Sequence, residues 1–309
     1  MNQLNQRTLQ EKVSCTGVGL HSGAKITLSL CPAAANTGIV FVRTDLEHPV
    51  EIPARYEFVT DTTLATTIGK GNVKVATIEH LMAALAGMGI DNCRVEVDGP
   101  EVPIMDGSAA PFVYLIQSAG IEVQREFKRF LVIRKPVSVS EDGKEAKFLP
   151  APQFSVSFTI DFDHPLIDKQ QFRMDFSDRF FHREICRART FGFYREVEML
   201  KKMGLARGGS LENAVVVDDF SILNPDGLRF PDEFVRHKIL DSIGDVSLIG
   251  MPVIGHLVAH KSGHMLNHKL VTKVLADASA YEIVQVGETR ELDRLDIRIP
   301  AWGALEKVA

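Results

Sequence analysis

The chain passes twice through the same order of elements, and that order limits the possible folds more than any single motif. Residues 26–30 alternate apolar and polar side chains, the period of a strand with one buried face, and residues 38–42 read as a second strand. A helix is predicted next. Thr77 can cap it, Ile78, Leu81, Met82 and Leu85 form one apolar stripe, and Gly87 can end it. Residues 93–98 alternate again. After the Asp98-Gly99-Pro100 turn, Asp106-Gly107-Ser108 leads into another helix with Phe112, Leu115, Ile116 and Ala119 on its apolar face.

The second half repeats the order. Residues 154–162 and 172–176 alternate like strands, and a helix is predicted from about Asp232 to Ile249, with Gly250 at its end and Pro252 just beyond. Residues 256–260 read as a strand. Lys261-Ser262-Gly263 then turns into a last helix with Leu266, Leu270, Val274 and Ala278 spaced along it. The likeness lies in element order, not in letters. It predicts two similar α+β domains facing one another, residues 1–126 and 127–309, with the boundary in the charged stretch 124–129. The second half also holds an insertion, about residues 190–217, with Phe191, Phe193, Met199, Leu200, Met203, Leu205 and Val215 among glycines. A segment this apolar must bury against the core or form a greasy channel or lid.

Bulk properties exclude several classes. A length of 309 residues suits two domains, and a net charge of -5 argues against a general nucleic-acid binder. The four cysteines are scattered with no C-x-x-C pair, so neither a zinc finger nor a disulfide framework is expected. Residues 1–6 are polar, and no run approaches the roughly 18 apolar residues of a spanning helix. These features predict a cytoplasmic protein without stable membrane insertion, still able to take a lipid-like substrate from a membrane surface. G-x-S-x-G, H-E-x-x-H and the P-loop pattern are all absent from the sequence.

The chemistry-bearing residues sit on corresponding helices. Glu79 and His80 lie on the first; His237 and Asp241 lie on the second at i and i+4, one face of a helix. Two imidazoles and a carboxylate suit zinc with a position open for water, with iron(II) as a competitor. Glu79, beside a ligand but not needed as one, is then free to take a proton from that water. Asp245 continues the His237 face, and Gly244 beside it lets another chain come near. His264 stands at a predicted helix N-terminus, which disfavours imidazolium, whereas a nearby carboxylate such as Asp245 would favour it. The pattern reads as a zinc hydrolase.

The segments Thr16–Gly23, Thr77–Leu81, Pro103–Ala109, Arg187–Phe193, Leu228–Phe230, Arg236–Asp241 and Lys261–His264 resemble, in order and over essentially the whole chain, the UDP-3-O-acyl-N-acetylglucosamine deacetylase family, the zinc amidases of lipid A synthesis. The resemblance implies two domains, each a sheet with two main helices, the helices packed between the sheets. It implies zinc on His80, His237 and Asp241, Glu79 as general base, and His264 as the cationic or acid partner oriented by Asp245. Thr190 would donate to the oxyanion, and Lys238 would lie on the substrate side. The insertion would form the passage for the 3-O-acyl chain, with Leu20 and Phe191 near its mouth and Phe193 a further substrate contact. Phe162 would stack on uracil and Lys261 would sit near the nucleotide. One departure is visible: where members of the family can carry a cysteine near the metal, this chain has Ala65. The implied activity is removal of the N-acetyl group from an acylated UDP-sugar by a monomeric enzyme. A zinc amidase on another acylated sugar or small amide is the alternative, and a binding protein with a zinc staple the more distant one.

Overall fold

The structure, a computed structural model, describes residues 3–287 and 289–303. Its frame is a pair of five-stranded sheets. In the first, Val13–Val18, Lys25–Pro32, Cys93–Val97, Ile39–Arg43 and Val50–Pro53 lie side by side in that order. In the second the order is Val137–Glu141, Lys144–Leu149, His256–His260, Ser155–Asp161 and Lys169–Asp175. In both sheets a strand C-terminal to the central helix enters the middle: Cys93–Val97 after Glu79–Gly87, and His256–His260 after Glu233–Ser247. Cys93–Val97 runs parallel to Ile39–Arg43 and antiparallel to Lys25–Pro32, and His256–His260 pairs with Ser155–Asp161 and Lys144–Leu149 in the same way. The repeat read from element order therefore extends to strand order and direction.

Alternation sets the core faces. Ile26, Leu28 and Leu30 of one sheet and Val156, Phe158 and Ile160 of the other are buried. Helices Glu79–Gly87 and Ala110–Ala119 accompany the first sheet, and Glu233–Ser247 and His264–Ala276 the second. The central pair, Glu79–Gly87 and Glu233–Ser247, pack on each other, and one hydrophobic cluster runs through both halves. Glu79 to Leu85 are all buried, so this helix has no solvent face, and its two polar residues must find partners inside the protein.

Local details depart from the sequence expectation. Thr77 does not cap the first helix. Its φ is 58°, and its hydroxyl donates to Glu101, which also accepts the His21 and Ser22 amides. Gly87 is the last residue of the helix, as expected, although the positive φ falls two positions on, at Gly89. Ala278 lies beyond the His264–Ala276 helix and is exposed. That helix is not the last: strand Tyr281–Gln285, paired with Arg129–Ile133, and a short helix Thr289–Leu295 follow. The insertion divides between its two expected fates. Val215–Val217 is buried and pairs in parallel with Phe191–Phe193, whereas helix Tyr194–Lys202 buries none of its residues, and Met199 and Met203 are 56% and 67% exposed.

Gly244 carries the helix crossing. A Cβ there would lie 2.1 Å from the Glu79 carbonyl oxygen, so only glycine lets the two backbones meet. Gly244→Ala should destabilise the chain by about 1–3 kcal/mol, the usual range for overpacking. A lowered denaturation midpoint at unchanged m-value would show it; an unchanged midpoint would mean the crossing yields without strain.

Candidate active site

The crossing brings three ligand-type side chains to one point. His80 comes from one helix, and His237 and Asp241, one turn apart, from the other; all are buried, and their ligand atoms lie within 4.8 Å of one another. Asp241 Oδ1 stands 3.5 Å from His80 Nε2 and 3.2 Å from His237 Nε2. The two rings meet edge to face at 4.9 Å. His237 Nδ1 is 3.0 Å from the Ala188 carbonyl, an acceptor only, so Nδ1 carries the proton and Nε2 keeps its lone pair. Burial, with His80 and Lys238 nearby, pushes His237 down to about 3, so it is neutral, as a metal ligand must be.

Asp241 is ionised. Burial alone would raise its carboxyl, but the cationic Lys238 beside it and the His264 imidazolium hold it well below the usual range. Its Oδ2 accepts from Lys238 Nζ at 2.8 Å, yet Oδ1 is buried without a hydrogen-bond partner among the described residues. A buried carboxylate oxygen left bare is costly. Facing two imidazole nitrogens, it fits one divalent metal ion, for which two histidines and a carboxylate leave a coordination position open.

Two further ionisable groups flank this His–His–Asp group. Glu79 Oε2 accepts the Thr66 amide at 3.0 Å, and its Oε1 is 3.9 Å from His264 Nε2. Burial raises the Glu79 carboxyl, helped by Asp241 and Asp245 and opposed by His264 and His80. His264 Nδ1 lies 2.9 Å from Asp245 Oδ2. Burial works against an imidazolium here, but Asp245, Glu79 and Asp241 outweigh it and raise His264 to about 9. The carboxylate thus prevails over the helix N-terminus. Asp245 is itself held by Thr66 Oγ1 at 2.6 Å and Asn267 Nδ2 at 2.8 Å.

Thr66 and Asn267 are the residues that the sequence did not single out. Asn267 had a weak signal, standing three positions after His264 on one helix face. Thr66 had none, since its contact with Asp245 spans 179 residues.

The sign of the pH effect follows. Stability contributed by the His264–Asp245 pair is complete below the ordinary histidine value of 6.5 and is lost as pH rises through about 9. If the imidazolium is needed in turnover, kcat/KM should fall on the alkaline side no higher than about 9, because a bound cation only lowers that limit. Asp245→Asn should move the limb to lower pH, where burial dominates. An alkaline limb that stays put in Asp245→Asn would remove His264 from it.

The other expected residues divide into two groups. Lys238, mostly buried, stays with the ligands through Asp241 and lies 5.7 Å from the Phe191 ring. The Phe191 ring packs on Phe234 at 4.9 Å and reaches His237 at 6.3 Å, and half-buried Thr190 precedes it on the chain. Phe162 touches both Phe191 and Phe193 at 5.8 and 5.7 Å. Beside these rings a cavity of about 410 Å³ is lined by Phe162, Phe193, Val217 and Phe220 among others. Leu20 packs against the Gly208–Gly209 stretch of the insertion. Lys261 is ion-paired with Asp161 at 2.7 Å, next to Phe162.

Comparison with known proteins matches this arrangement to one family. The family model described as UDP-3-O-acyl N-acetylglycosamine deacetylase matches residues 6–276. A UDP-3-O-acyl-N-acetylglucosamine deacetylase of Myxococcus xanthus (strain DK1622) is 67% identical over 293 residues, covering 95% of this chain and 93% of the relative. Proteins of the same name from Anaeromyxobacter dehalogenans (strain 2CP-C) and Hahella chejuensis (strain KCTC 2396) are 60% and 55% identical, each across more than nine-tenths of both chains. With His80, His237 and Asp241 brought together from two helices and this near-complete likeness, the chain belongs to the UDP-3-O-acyl-N-acetylglucosamine deacetylase family.

Proposed function

We propose that the chain hydrolyses the N-acetyl group of UDP-3-O-(3-hydroxyacyl)-N-acetylglucosamine to the free amine and acetate, the committed step of lipid A biosynthesis. The observation that carries the chemistry is Asp241 Oδ1, buried, ionised and bare between two imidazole nitrogens. In this reading His80, His237 and Asp241 hold zinc, with ferrous iron the competitor for the same donors. Bound there, the ion supplies Lewis acidity toward the amide carbonyl and lowers the pKa of water.

The chain's own groups do the proton work. Glu79, a base lifted by burial, takes a proton from the attacking water as its oxygen bonds to the acetyl carbon. His264, kept cationic by Asp245, faces the negative charge that forms on the carbonyl oxygen. The Thr190 hydroxyl shares that charge, and Lys238 lies toward the substrate. As the carbon–nitrogen bond breaks, the nitrogen takes a proton from the His264–Glu79 pair and leaves as the amine. Thr66 holds both Glu79 and Asp245 and so fixes base and acid relative to one another. Leu20, Phe191 and Phe193 are assigned to the acyl chain, and Phe162 and Lys261 to the uridine diphosphate. In this reading the chain acts as a cytoplasmic monomer. Among the described residues no helix is long and apolar enough to cross a membrane.

The test is product analysis with the acylated UDP-sugar, before and after chelation and zinc return. Acetate and free amine should form in equal amounts, cease on chelation and recover with zinc. Turnover that survives full metal removal, or that needs neither the nucleotide nor the acyl chain, would overturn the reading.

A further inference from the structure

We propose that the chain carries a second ligand site, behind the two crossing helices, that takes a small carboxylate with an aliphatic tail. A cavity of about 200 Å³ lies there, larger than the roughly 150 Å³ that holds a benzene ring. Its floor repeats the internal symmetry of the fold. Met82, Leu85 and Ala86 follow His80 by two, five and six positions, and Ile243, Val246 and Ser247 follow Asp241 by the same steps. At about 100° per residue those steps point to the helix face opposite the ligands. The site is therefore separate from the metal set, and none of the residues given a part in hydrolysis lines it.

Two independent observations give the occupant its chemistry. Trp302 lines the cavity and is 3% exposed, yet its indole N–H has no acceptor among the described residues. A buried donor of this kind calls for an acceptor, which a carboxylate oxygen supplies. The charged groups lining the cavity are three cations, Arg55, Lys128 and Arg129, and one anion, Asp91. Lys128 is ion-paired with Asp91 and Arg55 with Glu57, whereas exposed Arg129 has no ion pair among the described residues. One unpaired arginine at the mouth, over a floor of Met82, Leu85, Ile243 and Val246, matches an anionic head on an apolar tail.

Trp302 is the chain's single tryptophan, so its emission reports directly on the site. The full-length, metal-loaded protein would be titrated with decanoate and, separately, with decanol. Decanoate should change Trp302 emission saturably. Ala86→Leu, which fills the cavity, should abolish the change, and Arg129→Gln, a surface substitution, should weaken decanoate binding about tenfold. Both variants should keep wild-type deacetylation. Decanoate that entered the acyl-binding region instead would inhibit turnover and be indifferent to Ala86→Leu. A non-saturating response, a response unchanged in both variants, or equal affinity for decanol would each overturn the proposal.

Discussion

Replacing Glu79 by Gln should lower kcat about 100- to 10,000-fold, the range for a positioned general base, while one metal ion per chain remains bound. The substitution keeps shape and an acceptor oxygen for the Thr66 amide, so the helix crossing is undisturbed. What it removes is basicity. Burial has raised this carboxyl, bringing it nearer the working pH, where a base combines availability with driving force. The measurements are kcat, KM and metal content on the same preparation. A structural metal staple has no use for Glu79, so undiminished turnover with metal retained would remove Glu79 from the mechanism.

His237→Ala should reduce activity to the level of the chelated enzyme, because it removes a ligand and its orienting bond together. Loss of an outer partner of a ligand already weakens metal binding by about 10- to 100-fold, and loss of the ligand itself should exceed that. Asp241 would then stand buried with one imidazole fewer, and the Ala188 carbonyl would lose its donor. Metal analysis after dialysis and thermal unfolding with and without added zinc would read this directly. Wild-type protein should gain stability from zinc by mass action and His237→Ala should not. Full metal occupancy in the variant would sink the ligand assignment.

Much of this site was legible before any coordinates. His80 alone resembled any helix histidine, and it gained meaning from His237 and Asp241 at i and i+4 on the equivalent helix of the other half. Gly244 read as a point of close approach, and the Glu79 carbonyl does lie against it. The misses were local. Thr77 has the right type for a cap, but Glu101 offered its hydroxyl a better partner, and the left-handed residue after the helix is Gly89 rather than Gly87. Capping and stop signals are worth about a kilocalorie per mole, which tertiary packing readily overrides. The insertion could not be assigned as a whole because hydrophobicity does not say which apolar residues have a surface to meet. Val215–Val217 found one, and Met199 and Met203 did not.

Order and chemistry were set by the sequence alone: two passes of strands, helix, strand and helix, with imidazole and carboxylate groups at matched places. Those follow from side-chain periodicity and residue type, which act over a few positions. Docking decided the rest. Only the packed structure leaves Asp241 Oδ1 without a donor among the described residues, joins Thr66 to Asp245 and sets whether His264 is cationic. A helix N-terminus predicts a neutral ring, but a carboxylate 2.9 Å away in a buried site outweighs it. That distance exists only once two elements far apart in the chain have met.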